Sequence, residues 1–433
     1  MTKILAATLT ALTIAALSPR PSAGADAAWD GCKAQPTRAC VLGLAARDVA
    51  ALDDPYEKAF ALGDLGEARL KAGLTQDADQ DFAQAEQAAD KSNGDVMRAG
   101  ALDGLAITLA RAGEIDAATR VEGRVDASYP DQGWAAIAVA AGKAGRPAQA
   151  EAMVAQAFER ARSLKNDYLT FGALRAVAEA QRALGLAGAA AETERLALKA
   201  ALTGPDPNRH DYDLGRLAAV QATAGDFEAA LRTAGLIEEP WPRASAVIDV
   251  ERAEAAAGKF DDAARIAGAV DAPFRLRALT LLAWEQFKAG AADKAAETLT
   301  SARAIVSATA DTSERNRGLA QIAALEAERG DAKAADADFA PARAALAGLT
   351  GSARADLART LAYDLADAER PKEALALIPE IDAGAERDGA LIAASEAQRR
   401  AGDHAAALAT LEQVADRSLR VRLLEALAGA LPR

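Results

Sequence analysis

Aromatic residues make up only 4% of this 433-residue chain, and it carries just two histidines and two cysteines. So thin a supply of imidazole and thiol argues against a metal centre or a nucleophile with its base, because His210 and His404 lie far apart in sequence. No G-x-S-x-G, H-E-x-x-H or phosphate-cradling glycine loop occurs either. The reading is therefore of no catalytic residues, no metal and no cofactor. Basic charge is also in deficit: 50 Lys and Arg face 63 Asp and Glu, a formal net charge of −13. That disfavours nucleic acid as a partner, since neutralising phosphates needs a net basic face. Long apolar runs are missing after residue 17, and nothing later approaches the roughly 20 residues that a bilayer span requires.

The exception at the start reads as an address. Lys3, the mainly apolar stretch Ile4 to Leu17 and the small-residue site Ala23-Gly24-Ala25 before Asp26 have the form of a signal peptide over residues 1–25. Export is expected, to a bacterial periplasm, without a lipid anchor, because Trp29-Asp30-Gly31 before Cys32 lacks the aliphatic and small residues of a lipidation site. In an oxidising compartment the lone pair Cys32 and Cys40 reads as a disulfide, worth roughly 2 to 3 kcal/mol for so short a loop. It would staple the segment 26–54 to a first helix starting near Thr37, just after Pro36.

What the sequence does have is repetition. A turn residue recurs at Gly73, Gly113, Gly145, Gly185, Gly225, Gly258, Gly290, Gly330, Glu369 and Gly402. The fifth residue after each is Ala78, Ala118, Ala150, Ala190, Ala230, Ala263, Ala295, Ala335, Ala374 or Ala407. An alanine at a fixed offset marks a place where two helix backbones approach closely. Eight residues before the turns stand Leu65, Leu105, Ile137, Val177, Leu217, Val250, Leu282, Ile322, Leu361 and Ala394, and a second mostly large apolar column lies three residues earlier, with Leu62, Leu102 and Trp134. Those spacings put both columns on one helical face. Each unit is thus a helix A, a tight turn and a helix B that carries the alanine. Turn-to-turn gaps fall into two classes, 32–33 and 39–40 residues, which differ by about two helical turns. The extra length is expected in helix B, with the shorter copies ending at Gly235, at Gly268 and before Pro379.

The pattern resembles the tetratricopeptide repeat, most fully as Trp134-x-x-Ile137-Ala138 followed by Ala150, over about residues 55–430. The family tyrosine four residues before the turn is replaced throughout, by Arg69, Leu109, Gln181, Gln221 and others, and the helix B aromatic survives only as Phe82 and Phe339. The resemblance implies an all-α, right-handed α-solenoid of about ten to eleven helical hairpins, forming a rod or spiral. The expected division is 55–202 and 212–433 as two runs of repeats, joined by a helix-free connection over 203–211 where Gly204, Pro205 and Pro207 cluster.

Two columns are candidates for function. Fifteen residues before the turns stand Lys58, Arg98, Arg243, Arg275, Arg315, Arg354 and Arg387, with Arg420 in the equivalent place of the last helix. A cation in the first turn of a helix opposes the helix dipole, so some other contact must favour it. Either these side chains reach the carbonyls closing the preceding helix and lock the repeat junction, or they form a guanidinium ladder for carboxylates of a peptide or glycan. Aromatics gather at the same helix starts, as Tyr56, Tyr129, Tyr168, Trp241 and Phe274, and packing against the previous repeat is expected of them. The functional expectation is a protein-interaction scaffold that binds a protein or peptide, with a glycan-binding module or a self-assembling structural protein as alternatives. Self-assembly would use an uncapped apolar final helix, for which Val421 to Leu427 qualifies.

Overall fold

The computed structural model describes residues 23–432 apart from 127, 128, 130, 131, 165, 166 and 205. Residues 1–22 of the expected leader lie outside the described residues. Among those described there are α-helices and one 3-10 turn, with no strand. Ten hairpins follow one another in the chain. Their A helices are α3 (Pro55–Lys71), α5 (Asp95–Ala112), α7 (Gly133–Lys143), α9 (Asp167–Ala183), α11 (Pro207–Thr223), α13 (Pro240–Ala256), α15 (Ala272–Lys288), α17 (Thr312–Glu328), α19 (Gly351–Asp367) and α21 (Ala385–Arg400). Their B helices are α4 (Thr75–Asp90), α6 (Ile115–Glu122), α8 (Pro147–Ser163), α10 (Ala187–Thr203), α12 (Phe227–Ala234), α14 (Phe260–Ala269), α16 (Ala292–Ala308), α18 (Ala332–Gly348), α20 (Pro371–Ala376) and α22 (His404–Leu411). Before them stand α1 (Ala23–Ala34) and α2 (Arg38–Ala50), and after them α23 (Arg417–Ala430).

The turn residue is what makes each hairpin. Gly225 has φ +81°, its N–H donates to Ala222 O, and the next N–H, of Asp226, donates to Gln221 O. This paired closure recurs after every helix A of the ten hairpins and needs a left-handed residue, which glycine adopts without a Cβ penalty. Glu369, at φ 57°, is the one described non-glycine with positive φ. The ten repeat alanines are at most 1% exposed, shut into the hairpin core. The two length classes do reside in helix B: α8, α10, α16 and α18 have 17 residues, whereas α6, α12 and α22 have 8.

A polar clip stands where the family tyrosine is missing. Thr233 Oγ1 donates to Gln221 Oε1 at 2.7 Å, and Thr298 to Gln286 and Thr410 to Gln398 both at 2.8 Å. Arg69 Nη1 meets Asp81 in the same register, also at 2.8 Å. Each clip ties the last turn of helix A to helix B, and burial strengthens it, since a buried amide or hydroxyl left unpaired is costly.

The solenoid is closed, and the rod or spiral expected from the repeats is corrected accordingly. Helix α23 is an eleventh helix A whose helix B comes from the other end of the chain. Its Val421, Leu424 and Leu427 pack with Val41, Leu42, Leu44, Ala45 and Val49 of α2 in one core cluster that runs unbroken across the two ends. It also packs on α3, as each A helix packs on the next, while α1 packs on α22. Eleven hairpins therefore form a ring. The last helix is not a free apolar end: the chain's own second helix, α2, covers it. A stack of repeats otherwise needs capped terminal units, and a ring has none. Neighbouring A helices touch throughout, whereas the repeat B helices make no substantial contact with one another, so A helices line the inner wall and B helices the outer. With axes about 9 Å apart, eleven A helices leave an opening roughly 20 Å across.

The disulfide joins Cys32 of α1 to Cys40 of α2, with Cα atoms 5.7 Å apart. Thr37 caps α2 by accepting the Cys40 N–H. The connection read as helix-free over 203–211 is shorter than expected: α10 runs to Thr203 and α11 starts at Pro207, because proline is tolerated in a first helical turn, where its missing N–H has no intrahelical partner.

Candidate functional site

The basic column reaches backwards onto backbone. Lys58 Nζ donates to Ala50 O and Leu52 O at 2.9 and 3.1 Å. Arg243 Nη1 donates to Ile237 O, Arg275 to Val270 O, Arg315 to Thr309 O and Ala310 O, and Arg387 to Ile381 O, at distances from 2.6 to 3.3 Å. Arg354 bonds Leu346 O and the Glu380 carboxylate, and Arg420 bonds Val414 O. Arg98 differs, its Nε lying 3.8 Å from Asp90. The acceptors are carbonyls that close the preceding unit, groups left without intrahelical donors. These contacts also account for a cation tolerated at the unfavourable end of a helix.

One member escaped the sequence reading. His210 occupies the same offset before Gly225, and its Nε2 lies 2.9 Å from Gly204 O, so it belongs to the column and is not a solitary loop histidine. Equally unread were aspartates that cap the following unit: Asp388 accepts the Ala415 and Asp416 N–H groups at 3.0 and 2.9 Å, and Asp211 accepts those of Glu238 and Glu239. Both stand 14 residues before their turns, at Gly225 and Gly402, but most copies have Ala, Phe or Leu at that offset, as at Ala59, Phe171 and Leu276, so no column stands out.

The helix-start aromatics divide. Tyr56 stacks edge-on with Phe60, ring centroids 5.0 Å apart, and Tyr56 and Tyr129 both crowd Gly100. Trp241 does not pack as expected: it is 63% exposed. The side chain of Tyr168 lies outside the described residues. Val96, Met97, Leu202, Tyr212, Leu236 and Trp241 are the described large hydrophobics that stand exposed, and all lie near starts of A helices or ends of B helices, between α5 and α13. They share one edge of the ring. A cavity of about 530 Å³ opens there, lined by Val96, Leu102, Tyr129 and Leu169 with Arg98, Arg124, Asp95 and Asp126.

The inner wall carries grooves between A helices. One, of about 480 Å³, has Arg175, Glu179, Arg182 and Arg216 over a floor of Ala219, Val220 and Ala224. A second, of about 610 Å³, lies at the closing seam, between α23 and α3, with Asp64, Glu67 and Glu425 facing Arg111, Arg422 and Lys71. Burial pushes Glu425 up to about 8, with Asp64 and Glu67 adding to the effect. A third, of about 410 Å³, has Trp284, Leu281 and Leu325 beside Glu328, Asp364, Asp367 and Arg400. No three His, Cys, Asp or Glu side chains come together to hold a metal ion among the described residues. No described helix is long and apolar enough to cross a membrane.

No family model matches the sequence, and no curated protein does. Solved structures that match include Ton1535 from Thermococcus onnurineus NA1, at 12% identity over 83% of this chain and 96% of that one, TM-score 0.31. The pentatricopeptide repeat protein PPR10 from maize matches at 13% identity over 94% of this chain and 67% of that one, TM-score 0.28. A circular tandem repeat protein with novel repeat topology and enhanced subunit contact surfaces matches at 12% identity over 94% and 86%, TM-score 0.15. Scores so low carry no functional inference. On its own helices, the chain has an all-α, solenoid-like fold of repeated helical hairpins.

Proposed function

We propose that this is an exported, periplasmic protein-interaction ring with no chemistry of its own, which holds a protein or peptide partner on its apolar edge and inner wall. One observation carries the reading: among the described residues the exposed large hydrophobics stand on one edge and in one half of the ring, and one of them, Val96, lines a cavity with both apolar and charged walls. Closure has already consumed the surfaces that repeat units use on one another, so this edge is not an unfinished repeat interface. Confined exposure of this kind marks interaction surfaces, whereas scattered single residues do not. Nucleic acid is not among the partners proposed, given the net charge of −13.

A photo-crosslinking side chain placed at Val96 or Trp241, and at exposed Glu151 on the outer helix α8 as control, tests this in the cell. A reproducible polypeptide adduct from the edge positions alone is expected. Equal adducts from all three, or none from the edge, would refute the reading. A glycan is the second reading, supported by the exposed indole of Trp241 two residues from Arg243. Suppression of the edge adduct by soluble peptidoglycan fragments would turn the account towards it.

A further inference from the structure

The inner-wall groove between α15, α17, α19 and α21 goes beyond this docking reading and does not depend on it. Its volume is about 410 Å³, within the range of small-ligand sites. Trp284, Leu281 and Leu325 supply an indole face and a hydrocarbon wall, and Glu328, Asp364 and Asp367 supply three carboxylates. The structure shows no hydrogen bond or ion pair to any of these three carboxylates, in a molecule whose acids are otherwise widely paired with arginine. Asp364 Oδ2 is sealed from solvent and has no hydrogen-bond partner. Arg400, at the end of the groove, is turned to Ala366 O at 3.2 Å.

Leaving a buried carboxylate oxygen without a donor is costly, and three carboxylates in one groove repel one another. We propose that this groove is a binding site for an organic cation, an alkylammonium or guanidinium group carrying a short hydrocarbon chain. Its charge would sit among Glu328, Asp364 and Asp367, and its chain against Trp284 and Leu281. A cation supplies the missing donors, and the indole, which already has Lys288 Nζ 5.6 Å from its ring centroid, gives the hydrocarbon chain an apolar wall. A metal ion is the poorer occupant, since the acids are not grouped in a ligating cluster.

The charges around the groove point the same way. The groups facing it are Lys288 from α15, Glu328 from α17, Asp364 and Asp367 from α19, Glu369 after α19, and Arg400 from α21. Burial pushes Asp364 up to about 8, with Asp367 adding repulsion, and burial pushes Glu328 up to about 7. Asp364 therefore holds a proton at neutrality, which an arriving cation would displace.

The cation has two possible sources, a free amine or the side chain of a bound polypeptide. Titration calorimetry on the full chain uses 1,5-diaminopentane for the first and an acetylated, amidated Ala-Lys-Ala peptide for the second, with its norleucine counterpart as control. In buffers of different ionisation enthalpy, saturable binding of at least one cation with proton release is expected. Asp367→Asn and Glu328→Gln are expected to weaken it by about tenfold or more, and Trp284→Ala to weaken it further than Trp241→Ala does. Binding of the amine but not the peptide identifies a small-molecule site, and the reverse identifies a side-chain pocket. No saturable binding of either cation, or binding unchanged in Asp367→Asn and Glu328→Gln variants of native melting temperature, would overturn the proposal. Neither result alters what the edge crosslinks report, so the two readings fail separately.

Discussion

Arg420 and Asp48, 372 residues apart in sequence, form a two-pronged ion pair: Nε meets Oδ2 at 2.6 Å and Nη2 meets Oδ1 at 2.7 Å. Both side chains are mostly buried, at 13% and 15% exposure, and the same guanidinium also bonds Val414 O. One residue thus does the junction work of its column and fastens the two ends of the chain together. Lys33 with Glu412 at 2.8 Å, and Arg38 Nε with Leu431 O at 2.7 Å, reinforce the same seam. Removing one partner of so enclosed a pair leaves the other charge unmatched, so Asp48→Ala should cost about 3 kcal/mol. Arg420→Lys, which keeps the charge but loses the fork, should recover only part of it. Denaturant unfolding of the single and double variants checks this, and additive losses would show that the pair is not coupled.

The turns make a prediction of opposite sign at two equivalent positions. Gly225→Ala forces a Cβ into the left-handed region and should destabilise by about 1 kcal/mol. Glu369→Gly relieves the same penalty at φ 57° and should stabilise by a similar amount, about 1 kcal/mol. Matched thermal melts of the two variants decide the matter, and shifts of the same sign would contradict it.

The glutamine-threonine clip is a third case. Thr410 and Gln398 are 2% and 7% exposed, so Thr410→Val keeps the shape and strands a buried amide oxygen. A loss of about 1 to 3 kcal/mol is expected. Adding Gln398→Leu should restore part of that, because both ends of the bond are then apolar. Failure of the second change to recover any stability would mean that packing, and not the hydrogen bond, matters here.

The columns were legible in sequence for a physical reason. A left-handed turn and a close helix contact each restrict one position to one residue type, so Gly225 and Ala230 announce themselves. Closure was not legible because no single position encodes it. Its trace was an imbalance: an apolar helix at the start, with Val41, Leu42 and Leu44, lacking a helix A before it, and an apolar helix at the end, with Val421 and Leu424, lacking a helix B after it. Each reads alone as a free end, and only packing shows that they complete one another. The inner-wall grooves were hidden similarly, since Trp284, Glu328 and Asp364 come from three repeats at different offsets.

Stability should also respond to pH at the seam. Folding raises Glu425 from its ordinary range to about 8, so the folded chain holds a proton there that the unfolded chain has released. Stability from this group is therefore greatest at and below about pH 4 and is lost progressively as pH climbs towards 8. Replacing it with glutamine, which is permanently neutral, should flatten the decline in melting temperature between pH 5 and pH 8 by a few degrees. Profiles of the same slope for the wild type and Glu425→Gln would rule this out.

Spin labels at exposed Ala50 of α2 and exposed Arg417 of α23, with their separation read by pulsed dipolar spectroscopy, probe ring closure in solution. A closed ring predicts one narrow distribution centred below about 30 Å, since neighbouring helix axes lie about 10 Å apart and the labels add their own length. A broad distribution near or beyond about 60 Å, as ten stacked hairpins in an open spiral would give, contradicts the account.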